Sequence, residues 1–259
     1  MVVQPREEST VTSETLHEIG LRDCRDSLFE RLFRLIRQNA YDGLDDMLKC
    51  QGRMHETISR FVNERYYEGQ LSTVPLPHQT EPWQWPRYDK DNTLQAYLAT
   101  HRMGVFDVPS QQETDNDRIN EEEASVIAQI IEQLHNLSLA NNLLWNPQKL
   151  IGIIVPFRGQ ITAIRHQLES LNIPKHQEIT IDTVERFQGS QRDIIVFSTV
   201  IHKPWQLRIL SCPVDCNGVL IDRKLNVAIS RARKQFLLVG NLQLLRQADD
   251  YRKFIDYCL

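Results

Sequence analysis

The sequence predicts an α/β fold, a mostly parallel sheet flanked by helices, and three features carry that expectation. Leu150 to Pro156, Asp193 to Val200 and Phe236 to Val239 are short runs rich in Ile, Val, Leu and Phe. Such runs are too apolar to face water on either side and read as strands buried on both faces of a sheet. Between and before them, apolar residues recur at helical spacing: Ile127, Ile130, Ile131 and Leu134, then Ile161, Ile164, Leu168 and Leu171. The order strand, turn, helix, strand from Leu150 to Glu178 is a βαβ crossover, expected to be right-handed with its strands parallel.

Length and composition narrow the rest. A chain of 259 residues holds one large domain or two small ones. Hydrophobic residues make up 41% and charged residues 25%, an ordinary soluble composition. No run approaches the roughly 18 apolar residues of a membrane span, and Met1 to Thr10 lacks a signal-peptide core. The expectation is a cytoplasmic protein with no membrane partner. A net charge of −4 argues against a whole-surface nucleic-acid binder and points any such site to a local basic groove. Five scattered cysteines suit a reducing compartment. Cys212 and Cys216 lack a second nearby Cys/His pair and read as loop thiols, with no metal site.

In chain order, Met1 to Arg25 is polar and aperiodic. Ser27 with Glu30 makes a capping box, and Leu28, Leu32, Leu35 and Ile36 form a stripe expected to face a core. Met54, Ile58, Phe61 and Val62 make the next helix face, with Arg53 just before it; alone, Arg53 reads as a surface charge. Leu76 to Leu98 is irregular, with Trp83 and Trp85 among prolines. Its expected role is packing on its own domain, the alternative being a base-stacking platform. Gly104 to Val108 is a short strand. Asn120 with Glu123 caps the long helix that follows, and Phe157 to Gln160 turns the Leu150 strand into its helix. Glu178 to Val184 is a strand entering a polar turn at Gln188-Gly189-Ser190. Leu225 to Arg233 reads as a helix carrying Arg231 and Arg233. Ile201 to Ile221 is a loop, and Tyr251 to Cys258 a last helix.

Strand ends and helix starts in an open α/β sheet hold phosphate-bearing ligands, and an arginine there suits phosphate with its charged planar fork. Hydrolysis of ATP also needs a P-loop, its lysine and a carboxylate for Mg²⁺. None of the ten glycines opens such a loop.

Two phrases carry a resemblance. Residues 181–193, Ile181-Asp182-Thr183-Val184-Glu185-Arg186-Phe187-Gln188-Gly189-Ser190-Gln191-Arg192-Asp193, and residues 225–233, Leu225-Asn226-Val227-Ala228-Ile229-Ser230-Arg231-Ala232-Arg233, resemble motifs V and VI of superfamily 1 helicases. The branch is the one that includes the nonsense-mediated-decay RNA helicase. The resemblance spans roughly Ser27 to Leu245, with further motifs at 50–55, 152–160 and 223–233. It implies a RecA-like P-loop NTPase fold without its own P-loop. Residues 1–25 would be a linker from a preceding first RecA-like domain, 26–248 the second such domain, and 249–259 a C-terminal helix.

The function implied is that of the C-terminal motor domain of an ATP-dependent DNA or RNA helicase. Its cofactors would be ATP and Mg²⁺, the metal held by the first domain. Its partners would be single-stranded DNA or RNA and that first domain, without which this chain would be inactive. Arg231 matches the arginine finger, and Arg53 would be a second cation on the terminal phosphate. Gln51, Gly189, Gln191 and Arg231 would bind the nucleotide. Gln191 stands where relatives have a ribose-binding glutamate, and Gly52 where they have an aromatic packed on adenine. Pro156, Phe157, Arg158, Gln160, Thr183 and Val184 would lie along the strand, with Glu185 and Arg186 coupling the two sites. Gln188 to Asp193 looks like the form in bacterial DNA helicases, which favours DNA, and the branch suggests 5′-to-3′ movement. The alternative is a stand-alone strand-binding or regulatory module without catalysis. Arg53 and Arg231 argue against that, since a pure binder has no use for two phosphate-directed arginines.

Overall fold

The computed structural model describes residues 10–22, 24, 28–39, 41, 43, 44, 46, 48–83, 85–109, 117–187, 189–211, 213–216 and 219–259. The chain divides into two compact units between Leu48 and Lys49. In the first unit, helices span Glu14–Glu18 and Leu28–Gln38. The stripe expected to face a core does not close one: Leu28 is 66% and Leu32 49% exposed. Leu35 and Ile36 are half-buried. Among the described residues of this unit, two short helices offer too little chain to cover the whole stripe. The Ser27–Glu30 capping box lies outside the described residues.

The second unit is built on a five-stranded parallel sheet. In chain order its strands are β3 (Met103–Asp107), β4 (Ile151–Val155), β5 (Thr180–Thr183), β6 (Arg192–Ser198) and β9 (Ala232–Gly240), and their spatial order is β3-β9-β6-β4-β5. Two small ladders lie apart from it. One pairs β1 (Cys50–Gln51) with β2 (Ser72–Thr73) in parallel, and the other pairs β7 (Pro213–Cys216) with β8 (Val219–Asp222) as an antiparallel hairpin. The α/β, mostly parallel expectation therefore holds, and the three apolar runs are its three central strands.

Their alternation shows why both faces are dry. Ile153, Ile194, Val196, Leu237 and Val239 join one core, with Ile127, Ile131 and Leu134 of the Glu121–Ala140 helix and Ile164 and Leu168 of the Arg158–Ser170 helix. Ile154, Ile195, Phe197, Phe236 and Leu238 point the other way. They meet Ile58 and Phe61 of the Glu56–Tyr66 helix, Leu225 and Ile229 of the Arg223–Ile229 helix, and Tyr251 and Phe254 of the Asp249–Cys258 helix. A period of two thus serves two cores at once. The terminal helix, expected at Tyr251, is an integral layer of this unit. Trp85 is buried, and Trp83 packs under the Arg102 guanidinium 4.5 Å from its ring centre, so this segment packs on its own domain.

Candidate nucleotide and nucleic-acid site

The Arg223–Ile229 helix is positioned at its start by Asp222, whose carboxylate accepts from the backbone N–H of Lys224 at 2.8 Å and of Leu225 at 3.1 Å. Replacing Asp222 by alanine should cost about 1–2 kcal/mol in a urea melt. An unchanged midpoint would show that strand pairing alone sets this helix.

The helix does not carry the arginines, as the periodicity suggested; it ends at Ile229. The Arg231 carbonyl accepts from Arg192 N–H at 3.1 Å, and Ala232 pairs with Arg192, so the ladder to β6 captures the chain there. Arg231 therefore occupies the helix-to-strand turn, and Arg233 lies within β9. A second correction follows. Arg231 and Gln191 immediately precede β9 and β6, so they sit at the amino ends of the strands, away from the carboxyl ends where phosphate is usually held in open sheets.

Arg53 comes to the same place. The Gln51 side chain closes a turn, its Oε1 accepting from Arg53 N–H at 2.9 Å and Met54 N–H at 2.8 Å, its Nε2 donating to the Met54 carbonyl at 3.0 Å. His55 N–H donates to the Arg233 carbonyl at 2.7 Å, fixing this turn against β9. Arg53 then donates from Nη1 to the Ser230 carbonyl and from Nε to Gln191 Oε1, both at 3.0 Å. The amide of Gln51 is thus engaged in shaping the loop, and that of Gln191 in aiming Arg53.

Arg231 is only 9% exposed, and its Nε has no hydrogen-bond partner. Burial, and then the charge of Arg53, pull its pKa below the usual arginine value. No carboxylate among the described residues lies within ion-pair distance of it. Asp193 instead bridges Arg233 at 3.0 Å and Lys234 at 3.5 Å. Gly189 is exposed at φ +88°, a conformation that favours glycine, and no atom lies within 4 Å of where a Cβ would stand. Two cations, one orphan donor and an open backbone approach fit an anionic ligand such as a nucleotide phosphate. Gly52 is likewise open, with only Leu76 Cδ1 in reach of a Cβ, at 3.4 Å.

The strand-directed residues lie at the opposite, carboxyl end of the sheet. Arg158 is exposed and Phe157 and Pro156 are half-buried after β4, while Thr183 ends β5 half-buried. Gln160 and Val184 depart from expectation, since both side chains are buried. The Gln160 amide accepts from Asn120 N–H at 2.8 Å and donates to the Asn120 carbonyl at 2.9 Å and Ser198 Oγ at 3.2 Å. It braces the turn from inside. Residues 184–191 carry the chain from the carboxyl end of β5 to the amino end of β6, beside the Arg223–Ile229 helix. Glu185 meets Lys224 at 3.4 Å and Arg186 meets Asp182 at 3.8 Å.

Glu123, a capping partner by its spacing from Asn120, does more. Fully buried, its carboxylate accepts from Ser198 Oγ at 2.6 Å, Thr199 N–H at 2.9 Å and Val200 N–H at 3.0 Å. The signal was present in the sequence: an acid on the apolar face shared by Ile127, Ile130, Ile131 and Leu134. In the 201–221 segment the structure has a turn at Pro204–Gln206, a Leu207–Leu210 helix and the β7-β8 hairpin. The Cys212–Cys216 reading lies outside the described side chains. Among the described residues no three His, Cys, Asp or Glu gather to hold a metal, and no helix is long and apolar enough to cross a membrane.

Residues 24–243 match the AAA domain family. The chain belongs to that family. As the motifs implied, it is an AAA domain of the superfamily 1 helicase C-terminal type. It is 26% identical over 242 residues to an uncharacterized ATP-dependent helicase of Methanocaldococcus jannaschii, covering 91% of this chain and 32% of that protein. It is 29% identical over 235 residues to Helicase sen1 of Schizosaccharomyces pombe, covering 89% and 12%. Regulator of nonsense transcripts 1 of Dictyostelium discoideum is 30% identical over 243 residues, covering 89% and 16%. The AAA domain therefore spans a third or less of the length of each of these relatives.

Proposed function

We propose that this AAA domain is the second motor domain of an ATP-dependent superfamily 1 helicase. It supplies Arg231 and Arg53 to the terminal phosphate of ATP held by a P-loop-bearing first domain, which also holds Mg²⁺. The observation that carries this reading is the gathering of two guanidiniums at the amino ends of β6 and β9, with Arg231 buried, its Nε orphaned and no acid among the described residues within ion-pair distance of it. A buried cation without a partner is costly unless an anion arrives. Arg158, Phe157 and Thr183 form the strand side at the other end of the sheet. The 184–191 segment, with Glu185 and Arg186, links the two ends, a route by which nucleotide state reaches the strand.

The test is ATP turnover by the 259-residue chain, with and without a single-stranded oligonucleotide. The expected result is no turnover, with oligonucleotide binding that weakens as salt rises. Strand-stimulated turnover by this chain alone, abolished by Arg231→Ala, would mean that no P-loop domain is needed and would end the proposal.

A further inference from the structure

All four tryptophans are described, and three of them serve the core: Trp85 and Trp145 are buried and Trp83 packs beside them. Trp205 is the exception, 48% exposed in the Pro204–Gln206 turn. That turn follows the carboxyl end of β6 and is firmly held. Gln206 Oε1 accepts from His202 N–H and Lys203 N–H, both at 2.7 Å, and its Nε2 donates to the Asp117 carbonyl at 2.6 Å. His202 Nε2 lies 2.9 Å from the Ile119 carbonyl, and Lys203 Nζ bridges Asp117 at 2.8 Å.

The 117–119 strip that anchors this turn also lies against the strand-directed turn after β4. A Cβ on Gly159 would stand 3.0 Å from Ile119 Cγ1 and 3.5 Å from the Arg118 carbonyl. The 117–119 strip therefore touches both the Trp205 turn and the Phe157–Gln160 turn. Arg118, Arg158 and Arg208 are exposed on or next to these segments.

We propose that Trp205 is a stacking platform for one base of a single-stranded nucleic acid, at the edge of the strand path over Phe157 and Arg158. An indole carried on a hydrogen-bonded turn offers its face to a base without ordering the backbone beneath it, and cations on the neighbouring segments take the phosphates. Stacking accepts any base, which suits an enzyme that moves along a strand rather than reading it. The inference rests on the reading of the carboxyl end as the strand side.

The experiment measures binding of the full chain to a fluorescein-labelled oligothymidylate of about twelve nucleotides and to an abasic strand of equal length. Trp205→Ala should weaken the thymidylate about tenfold, and Trp205→Phe should keep most of the affinity. Trp205→Ala should bind the abasic strand as wild type does and keep the wild-type salt dependence, because stacking neutralises no phosphate. Arg158→Ala should lower the salt slope by about 1. If Trp205→Ala binds thymidylate like wild type, or loses both strands equally, Trp205 stacks no base and the inference falls. A loss in Arg158→Ala alone would then leave the strand-side reading standing. If the wild-type chain binds neither strand, or neither substitution changes binding, both fall.

Discussion

Arg231→Ala is expected to lower strand-stimulated ATP turnover by about 10³-fold or more when this domain is joined to a P-loop-bearing first domain. The size follows from what the residue does in the proposal. A guanidinium placed against the transferring phosphate acts where negative charge spreads in the transition state, in a site with little water to screen it. The surroundings make Arg231 the stronger of the two cations for this task. Arg53 is held by Ser230 and Gln191, whereas Arg231 is buried with a free donor. The same burial separates lost chemistry from lost folding. Removing a guanidinium whose Nε makes no bond, and which faces a second cation, sacrifices little native interaction. Urea melts of Arg231→Ala should therefore stay within about 1 kcal/mol of wild type. Turnover within a few-fold of wild type would show that Arg231 does not touch the reacting phosphate. Equal loss of stability and turnover would make it a structural residue.

The sheet was legible because strands buried on both faces leave continuous apolar runs, and β4, β6 and β9 are such runs. The end of the motif VI helix was not. Ser230-Arg231-Ala232 contains no glycine or proline to punctuate it, and within β9 Ala232 is followed by the polar Arg233, Lys234 and Gln235, which look like helix surface. Only pairing with Arg192, about forty residues earlier in the chain, stops the helix. The burial of Gln160 is hidden in the sequence for a related reason. Its partners Asn120 and Ser198 are far away in sequence, and a turn glutamine reads as solvent-facing until the fold brings them in. Arg53 shows another case: alone it reads as a surface charge, and only the fold brings its guanidinium to the Ser230 carbonyl and the Gln191 amide. Trp205 carries no signal of its own in the sequence, because its anchor, the 117–119 strip, lies far back in the chain.

Glu123→Ala is expected to destabilise the domain by about 3–5 kcal/mol. The carboxylate gathers the Ser198 hydroxyl and the backbone N–H groups of Thr199 and Val200, all in a dry interior. Val200 is held at φ +55°, a left-handed conformation that a β-branched residue adopts only under constraint, at a cost of about 1–3 kcal/mol. The turn is also wedged against β9, where a Cβ on Gly240 would fall 1.9 Å from Thr199 Oγ1. Without the carboxylate these donors are orphaned and nothing compensates the strain. Burial raises the Glu123 pKa from 4.5 to about 7, while the hydrogen bonds from Ser198, Val200 and Thr199 pull the other way. As pH rises above about 4.5 the unfolded chain gives up this proton first and the folded chain keeps it, so stability falls until about pH 7 and then levels. His55 works in the opposite sense. Its burial lowers its pKa, so its contribution rises with pH below the ordinary histidine value. The difference between wild-type and Glu123→Gln urea melts, taken from pH 4.5 to 8, isolates the carboxyl. That difference should shrink by on the order of 3 kcal/mol across the window, wild type losing its advantage as it ionises. A difference that stays constant with pH, or a Glu123→Ala loss under about 1 kcal/mol, would show that the turn after β6 is held by its packing against Gly240 and not by this carboxylate.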